Sequence, residues 1–265
     1  MIQEISNISK LNYKLKTKIY NFFEKNRLSP IIIFRNIDKK NTKLIMIIYQ
    51  NYIYLIKESN NKIYEYKIYF KDIYLLNITI KNNNSIFKIS SKSFDEKIFF
   101  DYKKDKLIFQ LIQKIRFFKK RKTTPLDRFN NLNYLRNKNL KLYNFSKYAL
   151  STNNEIIDLI YQKSDIDLNI NSFVSILTNN ELLFIKELDY NEIPKKSILG
   201  GNWSYIFLDS IKKIEINSQN KNSSFDFKII LKNKSIFQIK CSKNIIKSLK
   251  KFNNKIKWHY TCISS

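Results

Sequence analysis

The chain has 265 residues, 49 Lys and Arg against 22 Asp and Glu, and a formal charge of +27. At 43% hydrophobic and 15% aromatic it is too apolar to stay disordered, and its length fits one or two domains with real cores. Two glycines, where average usage gives about 19, and a single histidine, His259, argue against glycine-rich phosphate loops, histidine triads and multi-histidine metal centres.

In chain order, Met1 to Asn26 carries scattered charges and no apolar core of the secretory type. Within it, Leu11, Leu15, Ile19, Phe22 and Phe23 have helical spacing, so residues 1–30 read as an N-terminal helical segment. No apolar run approaches the roughly 20 residues that span a bilayer. Leu44–Lys57 reads as two strands broken near Gln50-Asn51, followed by strands over Ile63–Tyr69, Ile73–Ile80, Ser85–Ser90 and Lys97–Tyr102. The period then changes: Leu107, Ile108, Leu111, Ile112, Ile115 and Phe118 mark an amphipathic helix. Pro125 ends it, and residues 121–160 read as a basic, partly helical linker that packs through Phe129, Leu132, Tyr134 and Leu135. Further strands are predicted over Phe173–Leu177, Glu181–Glu187, Ser204–Leu208, Ile211–Asn217, Phe225–Leu231 and Ser235–Cys241. A second amphipathic helix follows, with Ile245, Ile246, Leu249, Phe252 and Ile256 on one face and Ser242 as its N-cap. Cys241 and Cys262 form no CxxC pair and read as inert thiols of a reduced protein.

The two halves repeat. Residues 44–58, LIMIIYQNYIYLIKE, align with 173–187, FVSILTNNELLFIKE, placing Asn51 on Asn180 and Glu58 on Glu187. Phe70-Lys71-Asp72 aligns with Phe207-Leu208-Asp209, and Ile98-Phe99 with Ile236-Phe237. Leu107, Ile108 and Leu111 then fall on Ile245, Ile246 and Leu249. The second copy carries a longer connection holding Pro194, Gly200 and Gly201. Each copy is thus six or seven short strands closed by one helix. The expected fold class is mainly β, two bent antiparallel sheets or barrels, each capped by a C-terminal helix.

This order, with the recurring Ile-Lys-Glu strand, the Phe-x-Asp step and the closing helices, resembles the pleckstrin-homology-like fold. The resemblance places one domain at 31–120 and a second at 161–265. A further likeness reaches the paired domains at the N-terminus of endosomal J-domain co-chaperones. The strand Ile47-Ile48-Tyr49-Gln50-Asn51-Tyr52-Ile53-Tyr54-Leu55-Ile56 also resembles one in class I myosin tails. No J-domain His-Pro-Asp and no motor sequence is present.

The resemblance implies that the loop between the first two strands, Arg35–Lys43, binds anionic lipid heads through Arg35, Lys39, Lys40 and Lys43. The family's Arg after the second-strand Lys is missing, since Leu44 and Ile45 follow Lys43. The matching loop of the second copy, Lys163 to Asp167, holds Asp165 and Asp167, so that copy reads as structural or protein-binding. The densest basic run, Lys119-Lys120-Arg121-Lys122, suits an anionic membrane surface, a nuclear-import-like or nucleic-acid patch, or a solvated helix end. An A/T-biased genome accounts for much of the Lys, Asn, Ile, Tyr and Phe excess, yet the charge still draws the chain to phosphate-bearing surfaces in a salt-dependent way.

The expectation is a non-enzymatic peripheral membrane adaptor in the cytoplasm, held on an endomembrane by phosphoinositide through the first domain and the linker. No cofactor and no small-molecule substrate is expected. A protein–protein scaffold without lipid affinity is the alternative, and a basic nucleic-acid-binding protein the third.

Overall fold

A computed structural model describes residues 13, 17, 33–37, 43–49, 51–59, 62–81, 85–100, 105–119, 132–150, 156–188, 200–218 and 224–264. The protein is mainly β, with three open antiparallel sheets of four, seven and three strands and a C-terminal helix. It divides into two compact units, Met1–Asp72 and Ile73–Ser265. At the N-terminus only Tyr13 and Thr17 are described. Both are helical, and the Thr17 hydroxyl donates to the Tyr13 carbonyl one turn back at 3.0 Å. The rest of the expected N-terminal helix lies outside the described residues.

The first unit holds β1 (Ile33–Ile37), β2 (Lys43–Ile48), β3 (Tyr52–Ser59) and β4 (Lys62–Tyr69), paired in that order. Ile45, Ile47 and Tyr49 face Ile56, Tyr54 and Tyr52 across the β2–β3 ladder and form one apolar cluster. Met46, Ile48, Ile53 and Leu55 alternate with them and are equally buried, so this hairpin is apolar on both faces. A 3-10 turn, Phe70–Asp72, closes the unit.

The second unit begins with a meander, β5 (Ile73–Thr79), β6 (Ser85–Ser91) and β7 (Asp95–Phe100), followed by α1 (Asp105–Lys119). Two short helices come next, α2 (Leu132–Lys138) and α3 (Leu140–Ala149). Leu132 and Leu135 are buried as expected of the linker, whereas Tyr134 is exposed, and Phe129 lies outside the described residues. Strands β8 (Ile156–Gln162), β9 (Phe173–Thr178), β10 (Glu181–Lys186) and β11 (Asn202–Phe207) repeat the four-strand order. After the 3-10 turn Leu208–Ser210 come β12 (Ile211–Ser218), β13 (Ser224–Leu231), β14 (Ile236–Ser242) and α4 (Ile246–Ser264). Ser242 caps the intervening 3-10 turn Lys243–Ile245 rather than α4 itself.

Four strands, a 3-10 turn, three strands and a helix therefore occur twice. One hydrogen bond recurs with them. The Phe70 amide donates to the Asn51 carbonyl at 2.9 Å, and the Leu208 amide donates to the Asn180 carbonyl at 3.1 Å.

The seven-stranded sheet runs β7-β6-β5-β11-β10-β9-β8, so the first meander adds to the edge of β11. This lateral addition occupies an edge that a barrel would have to close, and the sheets stay open. One face carries Trp203 and Tyr205 toward the helices. The Trp203 ring lies 5.2 Å from Phe109 and 5.0 Å from Phe145. A Cβ on Gly201 would meet the Trp203 ring at 2.9 Å, so glycine is required there by close approach. The other face packs Leu75, Phe184 and Ile206 against Phe225, Phe227 and Cys241 of the three-stranded sheet and Leu249, Phe252 and Ile256 of α4.

The second and third blocks of the sequence alignment need correction. The recurring hydrogen bond and 3-10 turns set Phe70 on Leu208 rather than Phe207, and the third block is shifted further. Pairing Ile98 with Ile236 sets a buried residue against one that is 58% exposed. Among the buried helix positions, Ile108, Leu111, Ile112 and Ile115 of α1 correspond to Leu249, Phe252, Asn253 and Ile256 of α4. They share one spacing and shift the match by about one helical turn. Such a shift still superposes apolar letters along a helix, but an odd shift reverses the faces of a strand.

Candidate functional site

A cavity of about 640 Å³ opens between the seven-stranded sheet and β14. Its volume suits a small ligand or a lipid head group. Its floor is apolar: Ile86, Phe173 and Phe184 from the sheet, with Phe237 and Ile239 opposite. Its polar lining is amide and cationic, formed by Asn77, Thr79, Asn169, Asn171, Asn202, Gln238, Lys81, Lys186 and Lys240. Among the described lining residues there is no carboxylate, histidine or cysteine.

The amide wall straddles the β5–β11 seam, where Asn77 pairs with Ser204 and Thr79 with Asn202. The Asn77 amide donates to the Ser204 hydroxyl at 2.7 Å and to the Asn202 side-chain carbonyl at 3.1 Å. The Asn202 amide donates to the Thr79 hydroxyl at 2.6 Å. Asparagine is depleted in strands, so two of them at diagonal positions of adjacent strands inside apolar ladders mark a polar wall held for its donors and acceptors.

The β8–β9 connection supplies the opposite rim. Asp165 and Ile170 exchange backbone hydrogen bonds at 2.8 Å, and the Asp165 carboxylate accepts from the Leu168 amide at 3.2 Å. Asn169 takes φ 51°, a left-handed conformation that asparagine tolerates better than most residues. The Asp165 carboxylate is thereby occupied within the turn, while Asn169 and Asn171 line the cavity. The Lys240 ammonium donates to the Leu168 carbonyl at 2.7 Å, tying β14 to this rim. Asn233, in the turn before β14, donates to the Ser90 hydroxyl at 2.8 Å and the Ser91 carbonyl at 2.9 Å, tying the far end of the hairpin to β6.

Behind the other face of the sheet, α1 is fixed by a buried ion pair. The Arg116 guanidinium donates to both oxygens of Glu181 and to the Ala149 carbonyl, and stacks 4.6 Å above the Tyr205 ring. Burial works against the Arg116 charge, but Glu181 outweighs it and holds the group above its usual range. The Tyr205 hydroxyl is pushed up by burial. Cys241 is buried and its thiol is raised by burial to about 12, as an inert core thiol requires.

The residues singled out in the sequence are placed as follows. Arg35 lies on β1 and Lys43 begins β2, while Lys39 and Lys40 lie outside the described residues. Of the 119–122 run only Lys119 is described, and its ammonium turns into the fold. It donates to the Ile73 carbonyl at 2.6 Å, pairs with Asp209 at 3.4 Å and sits 4.4 Å above the Phe207 ring. A surface role for that run therefore rests on Lys120, Arg121 and Lys122. The cavity residues Asn77, Lys81, Lys186, Asn202 and Lys240 were not among the sequence candidates. A signal that could have found two of them, Asn77 and Asn202, is asparagine within strands.

No protein-family model matches this chain, and no curated protein matches its sequence. Among the described residues no helix is long and apolar enough to cross a membrane, and no cluster of three or more His, Cys, Asp or Glu is placed to hold a metal.

Proposed function

We propose that the protein is a non-enzymatic, membrane-peripheral adaptor built from two copies of a pleckstrin-homology-like pattern, and that it takes a phosphate-bearing lipid head group into the cavity at the β5–β11 seam. The supporting observation is the lining itself: three lysines and an amide wall over an aromatic floor, with no carboxylate among the described lining residues. The repeated order of four strands, three strands and a helix supports the fold reading. The formal charge of +27 supports attraction to anionic bilayers, with the phosphoinositide-bearing cytoplasmic leaflet of an endomembrane as the natural surface.

The test is co-sedimentation with vesicles at about 150 mM salt, comparing neutral lipid, phosphatidylserine and phosphoinositide. Selective pelleting with a phosphoinositide is expected. Lys186→Glu/Lys240→Glu should weaken it by about 30-fold or more, since each cation near such a surface is worth about 1 kcal/mol. Equal pelleting with every anionic surface, and equal competition by duplex RNA, would reduce the interaction to generic charge. No pelleting at all would favour a protein-binding scaffold.

A further inference from the structure

The C-terminal turn of α1 inverts the usual distribution of charge and hydrophobicity. Arg116 and Lys119, three residues apart and on one face, point into the fold and are held by Glu181, the Ala149 and Ile73 carbonyls and Asp209. Phe117 and Phe118 between them point outward, 70% and 45% exposed, with their rings edge to face at 6.0 Å. Exposed large aromatics at adjacent positions are unusual where both neighbouring cations are buried. The two inward cations fix the roll of the helix, so the aromatic pair is presented rigidly. In the sequence, Lys120-Arg121-Lys122 follows at once.

We propose that Phe117 and Phe118 form an aromatic wedge that enters the interfacial layer of an anionic bilayer. The occupant is argued from charge. Two exposed rings suit the headgroup–acyl boundary, and the chain's formal charge of +27 suits a negative lipid surface. A protein groove is not the partner chosen, because nothing in the flanking sequence offers it complementary chemistry. The inference rests on the membrane reading above but uses residues remote in sequence from the cavity lining, so the two separate by mutation.

The experiment uses the full chain and vesicles of phosphatidylcholine with about 30% phosphatidylserine, a composition that carries the anionic surface. Phe117→Ala/Phe118→Ala should weaken vesicle binding about tenfold or more, with the chain still folding cooperatively and its thermal midpoint lowered by only a few degrees, since Phe117 is mostly exposed and Phe118 partly so. The salt dependence should stay as in the wild type, since no charge is removed. In a second readout, Phe117→Trp should show blue-shifted, bromolipid-quenched emission on vesicles. Wild-type binding that is unaffected by Phe117→Ala/Phe118→Ala, with unquenched Phe117→Trp emission, overturns the wedge alone. A wild-type chain that binds no vesicle overturns the wedge and the membrane reading together.

Discussion

The fourth strands of the two copies occupy the same place in the element order and opposite places in a sheet. Strand β4, KIYEYKIY, ends its sheet, and its charged residues Lys62, Glu65 and Lys67 are exposed. Strand β11, NWSYIF, has no charge, sits in the middle of seven strands and is buried along almost its whole length. Charges on an edge strand prevent further pairing, and their absence permits it. The duplicated pattern is therefore used asymmetrically. In the second copy the four-stranded and three-stranded sheets enclose one core, and the fourth strand also accepts β5 of the first copy. The polar wall of the cavity exists because of that addition, since Asn77 and Thr79 come from β5 and Asn202 from β11.

The largest expected effect comes from breaking the ion pair that seats α1 on the seven-stranded sheet. Glu181→Ala should cost about 3–5 kcal/mol, because it leaves a buried guanidinium without its counter-charge. Arg116→Met/Glu181→Leu should recover most of that loss. Urea unfolding of the three variants checks both statements. A loss below about 1 kcal/mol for Glu181→Ala would show that the pair is solvated.

Next is the approach of the sheet to its helices. Gly201→Ala places a methyl 2.9 Å from the Trp203 ring and should cost about 1–3 kcal/mol by overpacking. Combining it with Trp203→Phe should return part of that cost, read as a thermal midpoint above the sum of the two single effects.

A third expectation is alkaline lability. Cys241 is raised from 9.0 to about 12, and Tyr49, Tyr54 and Tyr205 lie above their usual 10.0, in each case chiefly through burial. Folded values above the unfolded ones mean that this stability is complete below pH 9 and is lost as pH rises. The thermal midpoint should be flat to about pH 9 and fall above it. Tyrosinate absorbance from the buried rings should appear together with unfolding, not before it.

The smallest effect probes the edge. Lys62→Thr/Lys67→Thr should change stability by no more than about 1 kcal/mol, including the loss of the Lys67 ammonium 4.3 Å above the Tyr52 ring. It should raise self-association, seen by sedimentation velocity, because β4 would then resemble β11.

Much of this architecture was legible as pattern. The β2–β3 break at Gln50-Asn51, both closing helices and the repeated Asn51 and Asn180 turns follow from periodicity and turn chemistry. The charge contrast between β4 and β11 was also present in the letters. The pairing of β5 with β11 was not, because alternation says which residues are buried but not which edge covers them. The buried Arg116–Glu181 pair was hidden for a similar reason: a charged residue in a helix reads as surface until its partner, 65 positions away, is brought beside it. Lys119 was misjudged in the same way, as a member of a basic run rather than a side chain folded inward.

The cavity at the β5–β11 seam, not the loop between β1 and β2, holds the anionic ligand in this account. Calorimetric titration of a soluble inositol polyphosphate into two full-length variants tests it directly. Lys186→Glu/Lys240→Glu should lose binding, and Lys39→Glu/Lys40→Glu should retain it within a few-fold. Loss in the loop variant with retention in the cavity variant would contradict the account and return the site to residues 35–43.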